Sequence, residues 1–211
     1  QIRGLFGRDE MALFPPPGVD DSETFFARVD HGSEGRLYVG VAAPGRSMKA
    51  ILRRTYIDLL CAAQRRFDPQ AGKEQPADPY MTLVGFFNSL RELGGMRRLV
   101  EDEVRTNSAT IDERVPEGRA APPPWLARRQ VQAEPVELTS RESTARIAAS
   151  KARLALHHVE DGHVDVLLAS NMISVGVDID RLGLMVVAGQ PKTTSEYIQA
   201  SSRVGRQHPG L

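Results

Sequence analysis

The stretch Met81-Thr82-Leu83-Val84-Gly85-Phe86-Phe87-Asn88-Ser89-Leu90-Arg91-Glu92 decides the fold. Met81 to Phe87 is a continuous apolar run of strand length, the pattern of a strand covered on both faces. Two residues later Ser89-x-x-Glu92 forms a capping box, in which hydroxyl and carboxylate satisfy the free N–H groups at a helix start. A helix through Leu93, Met96, Val100 and Val104 is expected to follow, although Gly94 and Gly95 each weaken it by about 1 kcal/mol relative to alanine.

The same unit recurs in both directions. Upstream, Leu37 to Val41 is apolar and partly β-branched, ends at Pro44-Gly45 and reads as a buried strand. Ser47 then caps a helix whose apolar face carries Ile51, Leu52, Thr55, Tyr56, Leu59, Leu60 and Ala63. Downstream, Val136 to Leu138 is a strand, and Thr139-x-x-Glu142 is a second capping box for a helix burying Ile147, Leu154 and Val159. Val164 to Leu168 and Leu184 to Ala188 are further strands, and Thr193-x-x-Glu196 caps a last helix carrying Tyr197, Ile198, Ser201 and Val204 and ending near Gly205. Continuous apolar strands separated by helices predict the α/β class: a parallel sheet flanked by helices on both faces.

With 211 residues, 41% hydrophobic and 26% charged, the chain is long enough for one sizeable core and too apolar to stay disordered. Residues 1–36, with Gly4, Gly7, Pro15 to Pro17 and Gly18, form a lead-in segment, and residues 37–211 form the domain. Within it, residues 107–134 carry Pro116, Pro122 to Pro124, Arg114, Arg119, Arg128 and Arg129 without an apolar period, and are expected to be an inserted, solvated loop that Trp125 pins to the body. Lys plus Arg and Asp plus Glu both number 27, so a nucleic-acid partner would have to meet a local patch rather than a polycationic molecule. The single cysteine, Cys61, excludes an internal disulfide and fits a reducing, cytoplasmic setting. No apolar stretch approaches the roughly 18 residues of a membrane span, so no membrane partner is expected. A chain that starts at Gln1 and stops just after its densest motif reads as a piece of a longer protein.

Ligands of parallel sheets collect at the carboxyl ends of strands, and two segments there carry chemistry. The first, Ala169 to Ile179, holds Ser170, able to donate to a phosphate, Gly176, which allows close backbone approach, and Asp178, able to accept from ribose hydroxyls. The second, Tyr197 to Arg206, places Arg203 and Arg206 three residues apart at a helix end, a spacing that can clamp one anion. His157, His158 and His163 cluster at another helix end without a partnered carboxylate pattern; they read as solvated histidines, and no metal site is expected.

Loop and arginine helix come in the order and spacing that resemble motifs V and VI of superfamily 2 helicases. Ala169-Ser170-Asn171 leads to Gly176-Val177-Asp178-Ile179 as in motif V, and Gln199, Ser202, Arg203, Gly205 and Arg206 stand where motif VI has Gln-x-x-Gly-Arg-x-Gly-Arg, with Ser202 replacing its first glycine. Met81 to Asn88 resembles motif IV more loosely. The longer run from Ser174 through Gln190 to Arg206, with Phe14-Pro15-Pro16-Pro17 upstream, is similar to bacterial helicase-related proteins of the DISARM anti-phage type.

The resemblance implies the second, C-terminal RecA-like domain of a helicase motor. Arg206 would be the arginine finger, Arg203 its phosphate-contacting companion, and Gln199, Gly176 and Asp178 nucleotide contacts. Ser170, Asn88 and Ser89 would touch nucleic acid, with DNA expected ahead of RNA and both left open by the sequence. ATP and Mg²⁺ would be held mainly by an N-terminal RecA-like domain, because this chain has neither a Gly-x-x-x-x-Gly-Lys-Ser/Thr loop nor a strand ending in Asp-Glu. The fragment alone is therefore expected not to hydrolyse ATP. The alternative is a non-catalytic RecA-like module that binds nucleic acid or protein and uses its arginines as anchors.

Overall fold

The computed structural model describes residues 2–8, 10, 12, 14, 25–26, 28–113, 121, 123–171 and 179–211. Two compact units divide the chain, Gln1–Glu34 and Gly35–Leu211. The first holds helix α1 (Ile2–Phe6) and three exposed phenylalanines, Phe14, Phe25 and Phe26, packed edge to face with ring centroids 5.0 to 6.0 Å apart.

In the second unit, Ser47 accepts the Ala50 N–H and opens α2 (Met48–Arg66). Strand β1 (Leu83–Phe87) follows, then α3 (Leu90–Leu99), which runs through both glycines, one π turn (Val100–Val104) and α4 (Arg105–Ala109). Next come β2 (Val136–Leu138), α5 (Thr144–Leu154), β3 (Val166–Ala169), β4 (Leu184–Ala188) and α6 (Thr194–Ser201). The sheet is all parallel in the order β2-β3-β1-β4, with Gly85 opposite Leu168 on one side and Val186 on the other. The α/β class with helices on both faces, expected from the continuous apolar strands, is what the chain adopts.

Two cores sandwich this sheet because successive strand residues point to opposite faces. Leu83 and Phe87 pack with Tyr56, Leu60, Leu93 and Met96, whereas Val84 and Phe86 pack with Leu154, Ala200 and Val204. Each such side chain contributes about 1.5–3 kcal/mol of gross burial energy, which fixes the register that sets the strand ends. Gly85 permits the closest approach: a side chain there would begin 1.9 Å from the Tyr56 hydroxyl.

Three expectations are corrected. Leu37 to Val41 is extended but lies outside the sheet, with Leu37, Val39 and Val41 59 to 65% exposed. Its strand-like composition finds no ladder among the described residues. Instead it faces α2 and β4 across an open apolar cavity of about 640 Å³. The helix face toward the core is correspondingly turned: Tyr56, Ile57, Leu60, Cys61 and Ala63 are buried, while Ile51, Leu52 and Leu59 line the cavity.

The second correction concerns α5, which Ser143 rather than Thr139 caps, by accepting the Arg146 N–H. Thr139 sits fully buried just past β2, and its hydroxyl faces the Arg141 N–H instead. The helix consequently ends at Leu154, and Val159 is exposed beyond it.

Thirdly, the described part of 107–134 is not a solvated insertion. Leu126 and Val131 enter the core and Arg129 is 1% exposed, whereas Trp125 is more than half exposed. Arg128 is tied to Asp112 and Glu113.

Candidate nucleotide and nucleic-acid site

The carboxyl ends of β1, β3 and β4 converge on one rim. Asn88 follows β1 and uses its side-chain N–H groups to hold the loop after β4, donating to Gly189 O at 3.0 Å and Gln190 O at 3.4 Å. Gly189 turns with φ +77°, a conformation that favours glycine. The next residue, Ser89, is the N-cap of α3 and accepts the Glu92 N–H at 3.2 Å. Ser170, immediately after β3, donates its backbone N–H to Leu138 O at 3.3 Å. Asn88, Ser89 and Ser170 therefore share the rim, but the Asn88 amide and the Ser89 hydroxyl already shape it. The donors the rim offers an anion are the N–H groups of the α3 N-terminus and the Ser89 O–H. Gly176 and Asp178 lie outside the described residues.

The arginines sit elsewhere, and this corrects the expectation that they share the strands' carboxyl rim on a helix. Thr193 caps α6 by accepting the Glu196 N–H at 3.2 Å, as the capping box predicts, and the helix ends at Ser201. Arg203 and Arg206 follow it in a tight turn. α6 runs back antiparallel to β4, so the turn reaches the amino end of that strand: the Gly205 N–H donates to Leu182 O at 2.8 Å. Gly205 has φ +67°, and a side chain there would begin 2.7 Å from the Gly210 Cα. Gln199 is exposed on α6, and Arg206 is exposed with its Nε donating to Ser202 O at 3.3 Å.

What gathers around this turn is Ile179 to Leu182, just before β4, where Asp180 accepts from Gln207 at 3.0 Å. The rim residues and the arginine turn thus form two stations, one at the carboxyl and one at the amino ends of the strands. Gln207 and Asp180 were not singled out from the sequence, and nothing in their types or spacing marks them as a pair.

The three histidines form a separate network below the strands' amino ends. Asp78 accepts from Arg181 Nε at 3.1 Å and from the His158 N–H at 2.7 Å, and lies 3.0 Å from His157 Nδ1. Asp165, 1% exposed, accepts from Arg129 Nη2 at 2.6 Å and from the Gln132 N–H at 2.8 Å. The carboxylates that the spacing of the histidines did not reveal are therefore present, brought in from other segments. His158, His163 and Asp165 offer ligand atoms all within 4.8 Å of one another. Both Asp165 oxygens are engaged, however, and the buried guanidinium opposes a cation there, so the cluster reads as a folding network.

Burial first, and then the positive charges of Arg129 and His163, push His158 down to about 4, against the pull of Asp165 and Asp78. The unfolded chain binds this proton near pH 6.5 and the folded chain only near 4, so stability is expected to hold above pH 6.5 and fall between 6.5 and 4. Thermal melts across that range should show a shallower fall for His158→Gln than for the parent.

Residues 129–208 match the family model described as the helicase conserved C-terminal domain. Over its whole length the chain is 45% identical to the DISARM protein DrmA of Bacillus paralicheniformis, of which it spans 18%. Among solved structures it is similar to S. cerevisiae Dbp5 bound to RNA and ADP BeF3, at 14% identity and a TM-score of 0.44, over 77% of this chain and 31% of that one. A single-residue variant of Dbp5 with the same ligands gives the same figures.

Proposed function

We propose that this chain is the C-terminal motor domain of an ATP-dependent nucleic-acid helicase or translocase, and that it acts on nucleotide held mainly by another RecA-like domain of the same protein. The observation that carries the reading is one family match over residues 129–208, which takes in Ser170 at the rim and the Arg203 and Arg206 turn but not Asn88 and Ser89. In this reading the guanidinium pair meets the γ-phosphate of ATP when the two domains close, and the Asn88, Ser89 and Ser170 rim follows one strand of nucleic acid, with DNA the expected partner. Gln199 faces the nucleotide from α6, and Gly176 and Asp178 complete its ribose and phosphate contacts. The missing phosphate-cradling loop and its Mg²⁺ would come from the partner domain. ATP stabilises the closed arrangement and hydrolysis releases it, which converts turnover into stepwise movement.

Residues 1–211 alone are expected to show no Mg²⁺-dependent ATP turnover above background, while the full-length protein turns over ATP and is stimulated by single-stranded DNA. Colorimetric phosphate release checks both. Turnover by the isolated chain would overturn the split-site reading. Full-length protein that leaves ATP intact with or without nucleic acid would favour the non-catalytic binding module.

A further inference from the structure

We propose that Arg36, at the entry to the domain, is a positioning residue that holds the arginine-bearing turn in place; this rests on the reading of Arg206 as the finger. Three contacts carry it. The Arg36 Nε donates to Val204 O at 2.7 Å, the carbonyl directly after Arg203 and two residues before Arg206. Its aliphatic stem covers the glycines that make the turn: side chains at Gly205 and Gly210 would begin 3.1 and 3.0 Å from Arg36 Cγ. Its backbone is bridged in parallel to Gly210, and the Leu37 N–H donates to Gly210 O at 2.8 Å. The next turn of the same strap reaches α6, where the Tyr38 and Ser201 hydroxyls lie 3.3 Å apart.

The choice of donor matters. Val204 O lies three residues beyond the end of α6, in the turn itself rather than in the helix. A backbone in the positive φ region at Gly205 costs little for glycine but leaves the turn many alternatives. Arg36 removes them by gripping the carbonyl on one side of Gly205 while Leu182 O holds the N–H of Gly205 itself. The segment that enters the domain is thereby the segment that fixes the two guanidinium groups. A finger's contact strengthens as charge develops in the transition state, so loosening it lowers turnover far more than it weakens ground-state ATP binding.

The test uses the full-length protein and three variants: Arg36→Ala, Arg36→Lys and Arg206→Ala. Both Arg36 variants are expected to lower kcat for DNA-stimulated ATP hydrolysis by about 10- to 100-fold, the scale of a misplaced catalytic group, with KM for ATP within about twofold. Lysine keeps the charge and stem but carries no donor at the ε position, so it should not rescue. Amide hydrogen exchange at Gly205 and Arg206 should speed up in both, with the melting temperature held. Normal kcat with normal exchange, full rescue by lysine, or a raised KM at normal kcat would each overturn the positioning role. Loss of turnover in Arg206→Ala with none in Arg36→Ala removes this inference alone. Unchanged turnover in Arg206→Ala removes the finger assignment on which it rests.

Discussion

Arg206→Ala in the full-length protein is expected to lower nucleic-acid-stimulated ATP hydrolysis by about 10³- to 10⁵-fold, the effect of removing an arginine finger. The fold should be unaffected. Arg206 is exposed, and its Nε donates to the Ser202 carbonyl one turn back, at 3.3 Å. Surface substitutions of that kind usually change stability by no more than about 0.5 kcal/mol. A guanidinium stays charged at any physiological pH and presents forked donors, so lysine should not substitute for it fully. Steady-state phosphate release with and without DNA, alongside a thermal melt, checks the expectation. Unaltered turnover would remove the assignment of the finger while leaving the fold and family likeness standing.

The largest expected effect on stability comes from the buried ion pair at the amino ends of β1 and β3. Arg129→Ala strands Asp165, whose carboxylate is 2% exposed and otherwise meets Arg129 Nη2 at 2.6 Å. Arg129 also donates to the Met81 carbonyl, at the entry to β1, so its loss opens two buried acceptors. Breaking a buried pair from one side costs about 3–5 kcal/mol, because the remaining carboxylate is buried and keeps the Gln132 N–H but loses its guanidinium. For a domain of this size that lowers the melting temperature by roughly 10 °C. The double variant Arg129→Met with Asp165→Asn should recover much of the loss, since removing both charges also removes the desolvation cost. Urea denaturation of the three proteins reads this directly; a single variant as stable as the parent would show that the pair carries no stability.

Much of the fold was legible because its signals are local. β2 and β4 occupy the residues their apolar runs mark, and Ser47, Ser89 and Thr193 each accept the N–H that their capping patterns predict. Local patterns failed where two candidates competed or where pairing decided. Thr139 and Ser143 are both good caps, and only the burial of Thr139 at the end of β2 gave the helix to Ser143. Leu37 to Val41 has a strand's composition, yet a strand exists only beside a partner, and sequence composition does not carry that information.

The candidate site divides in the same way. Motif spacing marked Ser170, Asn88, Ser89, Arg203 and Arg206, but not that they occupy two stations at opposite ends of β4.

Residue type and spacing by themselves determined the α/β class, the parallel strands, most helix starts and the likeness to helicase motifs, because each depends on neighbours a few positions apart. Tertiary structure alone decided that Arg129 is an internal counter-ion to Asp165 rather than a side chain of a solvated loop, that acids from distant segments join the histidines, and that Arg36 grips the Val204 carbonyl. These pairs lie 36, 80 and 168 residues apart. Nothing local distinguishes them: an arginine or carboxylate has the same chemistry everywhere, and only folding chooses which opposite charge or bare carbonyl it meets in a place that water has left.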